Sequence, residues 1–216
     1  MPASARAASL RCLELYLGPM SSGKTHLLLT RVAAARHSGE FSSVRLLKPS
    51  IDIRHPTCVV ARTGLSQAAD DILGDLATLS PRAGVLYAVD EAQFFGAGLL
   101  DFWHRLRALP GDRAGLVVAG LDLDFRAQPF GGCLQLATEA LASRDALLLH
   151  RMTARCAHVR EGGSGAWCGE PAPFTQRLGA DAGTVLVGGE ESYRPACALH
   201  HVPRPIGERE WGMWEG

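Results

Sequence analysis

Residues 18–25 read Gly18-Pro19-Met20-Ser21-Ser22-Gly23-Lys24-Thr25, and they match the pattern G-x-x-x-x-G-K-[ST] at every fixed position. Glycine at both ends permits backbone conformations that other residues avoid, so successive N–H groups can turn inward around the phosphates of a nucleotide. Lys24 adds a charge that reaches the β- and γ-phosphates, and the Thr25 hydroxyl is a ligand for Mg²⁺. The stretch therefore predicts a phosphate-binding loop.

The segments on both sides of this loop fit a strand–loop–helix unit. Residues 13–17 (LELYL) read as a strand, and residues 25–35 read as a helix. The helix would place the positive end of its dipole on the bound anion. A glycine-rich turn that matched the pattern by chance would lack this context.

Apolar runs farther along the chain fit a parallel sheet. Residues 44–49, 85–89 and 115–120 read as strands, and the near-continuous apolar character of 85–89 is typical of a strand buried on both faces. Residues 98–109 carry apolar side chains at mixed three- and four-residue spacing, as an amphipathic helix does. This alternation predicts an α/β fold, a P-loop NTPase-like parallel sheet flanked by helices.

Length, charge and hydropathy limit the possible partners. The chain has 216 residues, enough for one domain with an appendage. Lys and Arg number 22 and Asp and Glu number 22, so no bulk charge points to nucleic acid or to a membrane surface. No apolar run approaches the roughly 18 residues of a membrane-spanning helix, and residues 1–9 lack the features of a signal peptide. We therefore expect a cytoplasmic protein.

A change of composition near residue 150 suggests two domains. We expect a disordered tail at 1–10, a P-loop α/β nucleotide-binding domain at 11–150, and a small domain that carries cysteines and histidines at 151–203. Residues 204–216 would form a C-terminal tail. Six cysteines in a nucleotide-binding protein of a reducing compartment more often hold a metal than form disulfides.

Two acidic residues follow the strand at 85–89, in the segment Asp90-Glu91-Ala92-Gln93-Phe94-Phe95. In P-loop proteins an acidic residue at this place belongs to the magnesium shell, which fits Asp90. Glu91 would face another direction and could take a proton from a substrate hydroxyl. Without the phosphate-binding loop upstream, a solvated turn would be the better interpretation of this pair.

A third element, residues 121–131, places Asp, Arg and aromatic residues after the strand that ends at Gly120. The segments G-P-M-S-S-G-K-T, D-E-A-Q-F-F and G-L-D-L-D-F-R-A-Q-P-F-G together resemble those of the type II thymidine kinases. This family includes the cytosolic thymidine kinase of animals and its bacterial counterparts. The resemblance extends from about Leu13 to about His200.

The resemblance implies an ATP:thymidine 5′-phosphotransferase that also accepts deoxyuridine, usually as a homotetramer and with possible feedback inhibition by thymidine triphosphate. It implies that residues 18–25 bind the ATP phosphates, that Thr25 and Asp90 serve Mg²⁺, and that Glu91 accepts the proton of the 5′-hydroxyl. Asp52 and Arg54 match a segment that lies near the transferred phosphate. Gln93 is likewise expected to bind the nucleotide.

For the nucleoside, the resemblance implies an apolar pocket closed by a lasso loop. The matching positions of the pocket are Met20, Leu121, Phe125 and Phe130. The lasso corresponds to residues 174–193, in which Thr175 and Tyr193 would contact the substrate and the backbone around Leu186, Val187 and Gly188 would read the polar edge of thymine. Residues 174–193 also read as a β-hairpin with a glycine-rich turn, and a hairpin can serve as a lid.

Spacing and resemblance together suggest a structural zinc site. Cys197 and His200 form a C-x-x-H pair, and structural zinc takes four Cys or His ligands. Cys168 matches the second cysteine of the family's first C-x-x-C knuckle, and Cys156, separated from it by an insert, is the nearest partner. The expected set is Cys156, Cys168, Cys197 and His200, with His158 or His201 as substitutes.

Some alternatives stay open at this point. For Cys12, Cys58 and Cys133 we expect buried free thiols. Where many bacterial relatives carry Ser-His-x-Gly, this chain has residues 61–64 (ARTG), so that Arg62 replaces the histidine and no site is assigned to it. Other interpretations of the chain are a P-loop kinase for another nucleoside, an ATPase, or an inactive zinc-bearing nucleotide sensor.

Overall fold

The described parts of the chain form twelve β-strands and three α-helices. The computed structural model describes residues 10–110, 113–143, 146–159, 166–179 and 188–203. In chain order the elements are β1 (Leu10–Leu17), α1 (Lys24–Ser38), β2 (Ser43–Pro49), β3 (Cys58–Val60), β4 (Ser66–Ala68), β5 (Asp71–Leu73), β6 (Val85–Val89), α2 (Gly98–Arg107), β7 (Arg113–Gly120), α3 (Cys133–Ala142), β8 (Ala146–Arg151), β9 (Ala154–Arg155), β10 (Pro171–Ala172), β11 (Phe174–Arg177) and β12 (Tyr193–Ala196). Short 3₁₀ helices lie at Leu76–Thr78 and Ala92–Phe95.

Six strands form one sheet in the order β5-β2-β6-β7-β1-β8, and every adjacent pair is parallel. Because parallel strands need crossover connections, helices cover both faces of the sheet. The predicted α/β class with a parallel sheet is therefore confirmed. The predicted strand at 85–89 has the observed bounds, and the predicted helix at 98–109 ends two residues earlier.

The core lies on both faces of the sheet, and strand β6 shows why its sequence is almost entirely apolar. Tyr87 and Val89 pack in the cluster that includes α2 and α3, whereas Leu86 and Ala88 pack in the cluster that includes α1. Successive side chains of a strand point to opposite faces, so a strand covered on both sides alternates between two apolar environments.

The residues after β8 form short antiparallel pairs outside the large sheet. Strand β9 pairs with β10, and β11 pairs with β12, with Thr175 opposite Pro195. Three buried cysteines and two alanines make a separate small core there. The proposed domain boundaries at residues 10, 150 and 203 stay predictions, and both predicted tails lie outside the described residues apart from Leu10. Within the parts of the chain that the structure describes, no helix is long and apolar enough to cross a membrane.

Gly18 fixes where the chain leaves β1. Its φ is +151°, and a Cβ atom built on it would lie 2.3 Å from the carbonyl oxygen of Met152. The amide of Met152 in turn donates to the carbonyl of Leu17 at 2.7 Å. The phosphate-binding loop therefore begins in direct backbone contact with the segment that follows β8, and only glycine leaves room for this contact.

Gly18→Ala should destabilise the protein more than Gly39→Ala. Gly39 also has a positive φ, of +65°, but nothing lies within 4 Å of a Cβ atom there. We expect a loss of about 1 kcal/mol in the free energy of unfolding for Gly39→Ala, from backbone strain alone. For Gly18→Ala we expect about 2 to 4 kcal/mol, because a steric clash adds to the strain. Denaturant unfolding measures both values, and equal losses would contradict the role of the Met152 contact.

Candidate active site

The phosphate-binding loop connects β1 to the first turn of α1. The Lys24 ammonium donates to the carbonyl of Pro19 at 2.5 Å and to Ser22 Oγ at 3.4 Å. Burial lowers the pKa of Lys24, while the charges of Glu91, Asp90 and Asp122 act to raise it. The loop thus carries its cation at the N-terminal end of a helix, where backbone N–H groups also favour an anion.

Thr25 and Asp90 meet beside this loop although they belong to different strand–loop units. Thr25 Oγ1 donates to Asp90 Oδ1 at 3.1 Å. Burial, and next the charge of Glu91, raise the pKa of Asp90 to about 7, against the bond from Thr25 and the charge of Lys24. A hydroxyl and a carboxylate side by side are hard oxygen ligands of the kind that Mg²⁺ prefers. Their chemistry fits the expected magnesium site, and a bound cation would favour the ionised carboxylate.

Glu91 holds its carboxylate in a fixed position next to Asp90. Its backbone is left-handed, with φ 48° and ψ 42°, which is unusual for a residue other than glycine and turns the chain sharply after β6. Oε1 accepts a bond from Arg54 Nη2 at 2.5 Å, and Oε2 accepts a bond from Gln93 Nε2 at 2.6 Å. Both oxygens are therefore oriented by neighbouring side chains.

Arg54 joins two carboxylates at the edge of the site. Its Nε donates to Asp52 Oδ1 at 2.7 Å while Nη2 contacts Glu91. Burial works to lower the pKa of Arg54, but its bonds to the two carboxylates outweigh burial and raise it. Burial also opposes the charged form of Asp52, yet the bond and charge of Arg54 hold the pKa of Asp52 below its ordinary value. Asp52, Arg54 and Glu91 therefore form one charged unit.

Lys48 is a residue of this region that sequence reasoning missed. It lies in β2 with 1% of its surface exposed, and its Nζ is 3.5 Å from Asp52 Oδ2. Nζ also donates to the carbonyl of Cys58, at 3.3 Å, and to that of His55. A buried ammonium needs such partners, so Lys48 ties down the loop that carries Asp52 and Arg54. A lysine at the end of an apolar strand was the signal that could have indicated it.

These groups surround a cavity of about 550 Å³. Its wall includes residues 20–25 of the loop and the next residue, His26. It also includes Asp52, Arg54, Asp90, Glu91, Leu121 and Arg62. The cavity thus brings together most of the expected phosphate-binding residues, the expected proton acceptor Glu91 and part of the expected acceptor wall. Arg62 pairs with Glu190, which also lines the cavity. This volume is in the range of small-molecule sites.

The expected nucleoside positions divide into three groups. Met20 and Leu121 line the cavity, and Thr175 connects to it because its Oγ1 accepts a bond from the amide of Met20 at 3.0 Å. Phe125, Phe130 and Tyr193 are placed by the structure but do not line this cavity. Gly188 precedes Gly189 at the cavity edge, whereas Leu186 and Val187 lie outside the described residues.

Phe125 and Phe130 pack against side chains of their own loop and of neighbouring segments. Phe125 has the Arg126 and Arg177 guanidinium groups 5.2 and 5.1 Å from its ring centroid, and Phe130 packs edge-to-face on Phe94 at 5.9 Å. Tyr193 pairs with Arg177 across the β11–β12 ladder. The loop at 121–131 and this ladder therefore form one packed region next to the cavity.

Four side chains meet in the small core after β8, namely Cys156, Cys168, Cys197 and His200. Their ligand atoms all lie within 4.8 Å of one another, and His200 Nδ1 is 3.3 Å from Cys197 Sγ and 3.5 Å from Cys156 Sγ. Three thiolates and one imidazole suit a closed tetrahedral zinc site. The four residues expected from the sequence are therefore the ones that converge.

The two substitute ligands take other positions. His158 stacks on His200 with ring centroids 3.9 Å apart, and His201 Nε2 bonds to the carbonyl of Phe125 at 2.9 Å. The insert between Cys156 and Cys168 closes on itself, because Val159 and Trp167 form an antiparallel bridge. That closure brings the two cysteines together across the insert.

The expectation of three buried free thiols needs correction. Cys12, Cys58 and Cys133 are all free, but only Cys133 is buried. Cys58 opens the short β3–β4 hairpin and lines the cavity, where a two-stranded ribbon cannot cover both of its faces. Burial raises the pKa of Cys133 to about 12 and that of the partly buried Cys12 to about 11.

Comparisons with known proteins find relatives over most of the chain. The family model described as "Thymidine kinase" matches residues 11–201. A thymidine kinase of Deinococcus deserti is 37% identical over 209 residues, with 88% of this chain and 94% of the relative covered. A thymidine kinase of Deinococcus radiodurans is 36% identical over 210 residues, with 88% of each chain covered. One of Mycoplasma genitalium is 34% identical over 194 residues, with 87% and 82% covered.

Cys197→Ser should reduce the metal content of the purified protein, because it removes one of four converging ligands. We expect about one zinc ion per chain in the unmodified protein, as in other four-ligand structural sites. Cys58→Ser, which changes a free thiol outside the cluster, is the matched control and should leave the metal content unchanged. Elemental analysis of the three proteins measures the difference. A stably folded chain free of zinc would contradict the site.

Proposed function

Because the chain belongs to the thymidine kinase family, we propose that it transfers the γ-phosphoryl group of ATP to the 5′-hydroxyl of thymidine, and also of deoxyuridine. The observation that carries this proposal is the position of Glu91. Its carboxylate lies in one cavity with the phosphate-binding loop, Asp90 and Arg54, and both of its oxygens are oriented by hydrogen bonds. A protein that only sensed nucleotides would not need an oriented proton acceptor there.

The proposed reaction needs one proton acceptor and several cations. Glu91 takes the proton of the 5′-hydroxyl as that oxygen forms its bond to the γ-phosphorus, and the bond from this phosphorus to the bridging oxygen of ATP breaks to leave ADP. Lys24 and Arg54 stabilise the charge on the phosphoryl oxygens. Magnesium bound beside Thr25 and Asp90 would neutralise part of the charge of the β- and γ-phosphates.

The acceptor would lie against the apolar wall of the cavity. Met20 and Leu121 line the cavity, and the bond from Met20 to Thr175 supports a shared site between the phosphate-binding loop and β11. In this proposal Phe125, Phe130 and Tyr193, which lie in the packed region next to the cavity, complete the enclosure of the thymine. Gln93, expected to bind the nucleotide, is better explained by its contact with Glu91.

We carry four further properties over from the family resemblance as proposals. The four-ligand cluster holds a structural zinc ion that stabilises the small core. The active form is a homotetramer in the cytoplasm. Thymidine triphosphate inhibits the enzyme.

The direct test offers ATP labelled on its γ-phosphate to the purified protein together with thymidine, deoxyuridine, deoxycytidine or water alone. We expect labelled monophosphates of thymidine and deoxyuridine. A preference for deoxycytidine would identify a kinase for another nucleoside. If ATP hydrolysis is found and neither thymidine nor deoxyuridine is labelled, the proposal fails in favour of an ATPase.

Glu91→Gln should lower kcat by about 100- to 10,000-fold, the range for loss of a general base. The affinity for ATP should change little, because the substitution removes a proton acceptor while the cations of the loop remain. Glu190→Gln is the matched control. Glu190 also lines the cavity, but its side chain is 77% exposed and pairs with Arg62, so this variant should retain most of its turnover. Steady-state kinetics and ATP titration separate these effects, and equal losses in both variants would speak against the role of Glu91.

A further inference from the structure

Gln93 bridges the proposed proton acceptor and the loop at 121–131. It lies in the short 3₁₀ helix after Glu91, with 2% of its surface exposed. Its Nε2 donates to Glu91 Oε2 at 2.6 Å, and its Oε1 accepts a bond from the backbone amide of Leu121 at 3.0 Å. One buried amide therefore connects two segments that are 28 residues apart in the chain.

The partners of the Gln93 side-chain amide determine which way its oxygen and its NH₂ group face. A backbone N–H can only donate a hydrogen bond, so the side-chain oxygen of Gln93 must face Leu121. The NH₂ group then has to face Glu91, where it donates to an oxygen. Arg54 donates to the other oxygen of the same carboxylate. The orientation of Glu91 is thus set from two sides by groups from different loops.

Close packing keeps Gln93 against the loop that begins at Leu121. A Cβ atom on Gly131 would lie 2.2 Å from the backbone oxygen of Gln93. A Cβ atom on Gly120 would lie 3.2 Å from its side-chain oxygen. The two ends of this loop therefore approach Gln93 at distances that a larger residue would prevent.

Two observations argue against a contact between Gln93 and a nucleotide. Both ends of its side-chain amide already have partners, and Gln93 is absent from the wall of the cavity, whereas Glu91 and Leu121 belong to it. A nucleotide would therefore contact the residues on either side of the bridge.

We propose that Gln93 is a positioning residue, which fixes the position of the Glu91 carboxylate relative to the backbone of Leu121. The loop that forms the acceptor wall then also sets the direction of the proton acceptor, so that the 5′-hydroxyl and Glu91 are aligned by one rigid connection. This inference rests on the proposed function, because it assigns Gln93 a part in the same phosphoryl transfer.

Two substitutions separate the two hydrogen bonds. Gln93→Met has a similar length and removes both bonds. Gln93→Glu retains an oxygen that can accept from Leu121 but sets a second carboxylate oxygen against Glu91 Oε2, where the native donor lies 2.6 Å away. Like charges so close repel each other and would displace the base.

We expect both variants to lower kcat, Gln93→Glu more than Gln93→Met. In both, the KM for ATP should stay within about twofold of that of the unmodified protein. Gln93→Met should lower kcat by about 10- to 100-fold, since a misplacement of about 1 Å can have this effect. Gln93→Glu should lower kcat further. Hydrogen exchange at the Leu121 amide should be faster in Gln93→Met and close to native in Gln93→Glu, because only the latter keeps the acceptor.

Gln176→Met is the stability control. Gln176 is also buried, donates to the carbonyl of Arg177 at 3.0 Å and accepts from the amide of Val202 at 2.7 Å. Its change in Tm therefore gives the stability cost of losing two such bonds, and exchange at Leu121 should stay native in this variant.

Two kinetic outcomes and one outcome of the exchange experiment would overturn the proposal. If Gln93→Met raised the KM for ATP at unchanged kcat, Gln93 would be a nucleotide ligand. If both variants lowered Tm as the control does and kept native kinetics, its role would be structural only. If the unmodified protein transferred no phosphate to thymidine, the proposed function would fail by itself. The exchange experiment needs no substrate, so native exchange at Leu121 in Gln93→Met would still refute the bridge separately.

Discussion

The parallel hydrogen bonding of β2, β6, β7 and β1 is the constraint on which the candidate site depends. Parallel strands end at the same edge of a sheet, and here those ends carry the loop at 18–25, the Asp52–Arg54 segment, Asp90 with Glu91, and Leu121. Groups that are up to about a hundred residues apart in the chain therefore meet in one cavity. In open α/β sheets this edge is the usual ligand site, because loops there can vary while the strands stay fixed.

At this edge of the sheet, the balance of charges decides which side chains can lie close together. Asp52, Asp90 and Glu91 are acidic groups of low exposure, and such a cluster would be unfavourable without Lys24, Lys48 and Arg54 beside it. A buried charge is costly unless a partner of opposite sign compensates for it. The resting site is therefore built so that each carboxylate has a cation or a donor, and the same cations are suited to a polyphosphate.

The small core after β8 depends on a different kind of interaction. Its apolar content is limited to a few cysteines and alanines, so packing alone would stabilise it weakly. A metal ion on the four converging ligands would supply the missing stabilisation, as it does in other small metal-bearing units. The bond between Met20 and Thr175 connects β11, which leads out of this region, to the phosphate-binding loop. The stability of the small core is thus relevant to the shape of the main site.

The sequence by itself determined the groups whose chemistry depends on local spacing. Residues 18–25 predict a phosphate-binding loop because its geometry is formed within eight consecutive residues, and the apolar run at 85–89 identifies a buried strand by composition. The C-x-x-H pair, together with two upstream cysteines assigned with the help of the family resemblance, predicted the four side chains that converge in the small core. The tertiary structure alone decided that Lys48 anchors the Asp52 loop and that Gln93 faces both Glu91 and Leu121. The physical reason is that a hydrogen bond depends on distance in space, and the partners of a buried amide or ammonium are chosen only when distant segments pack together.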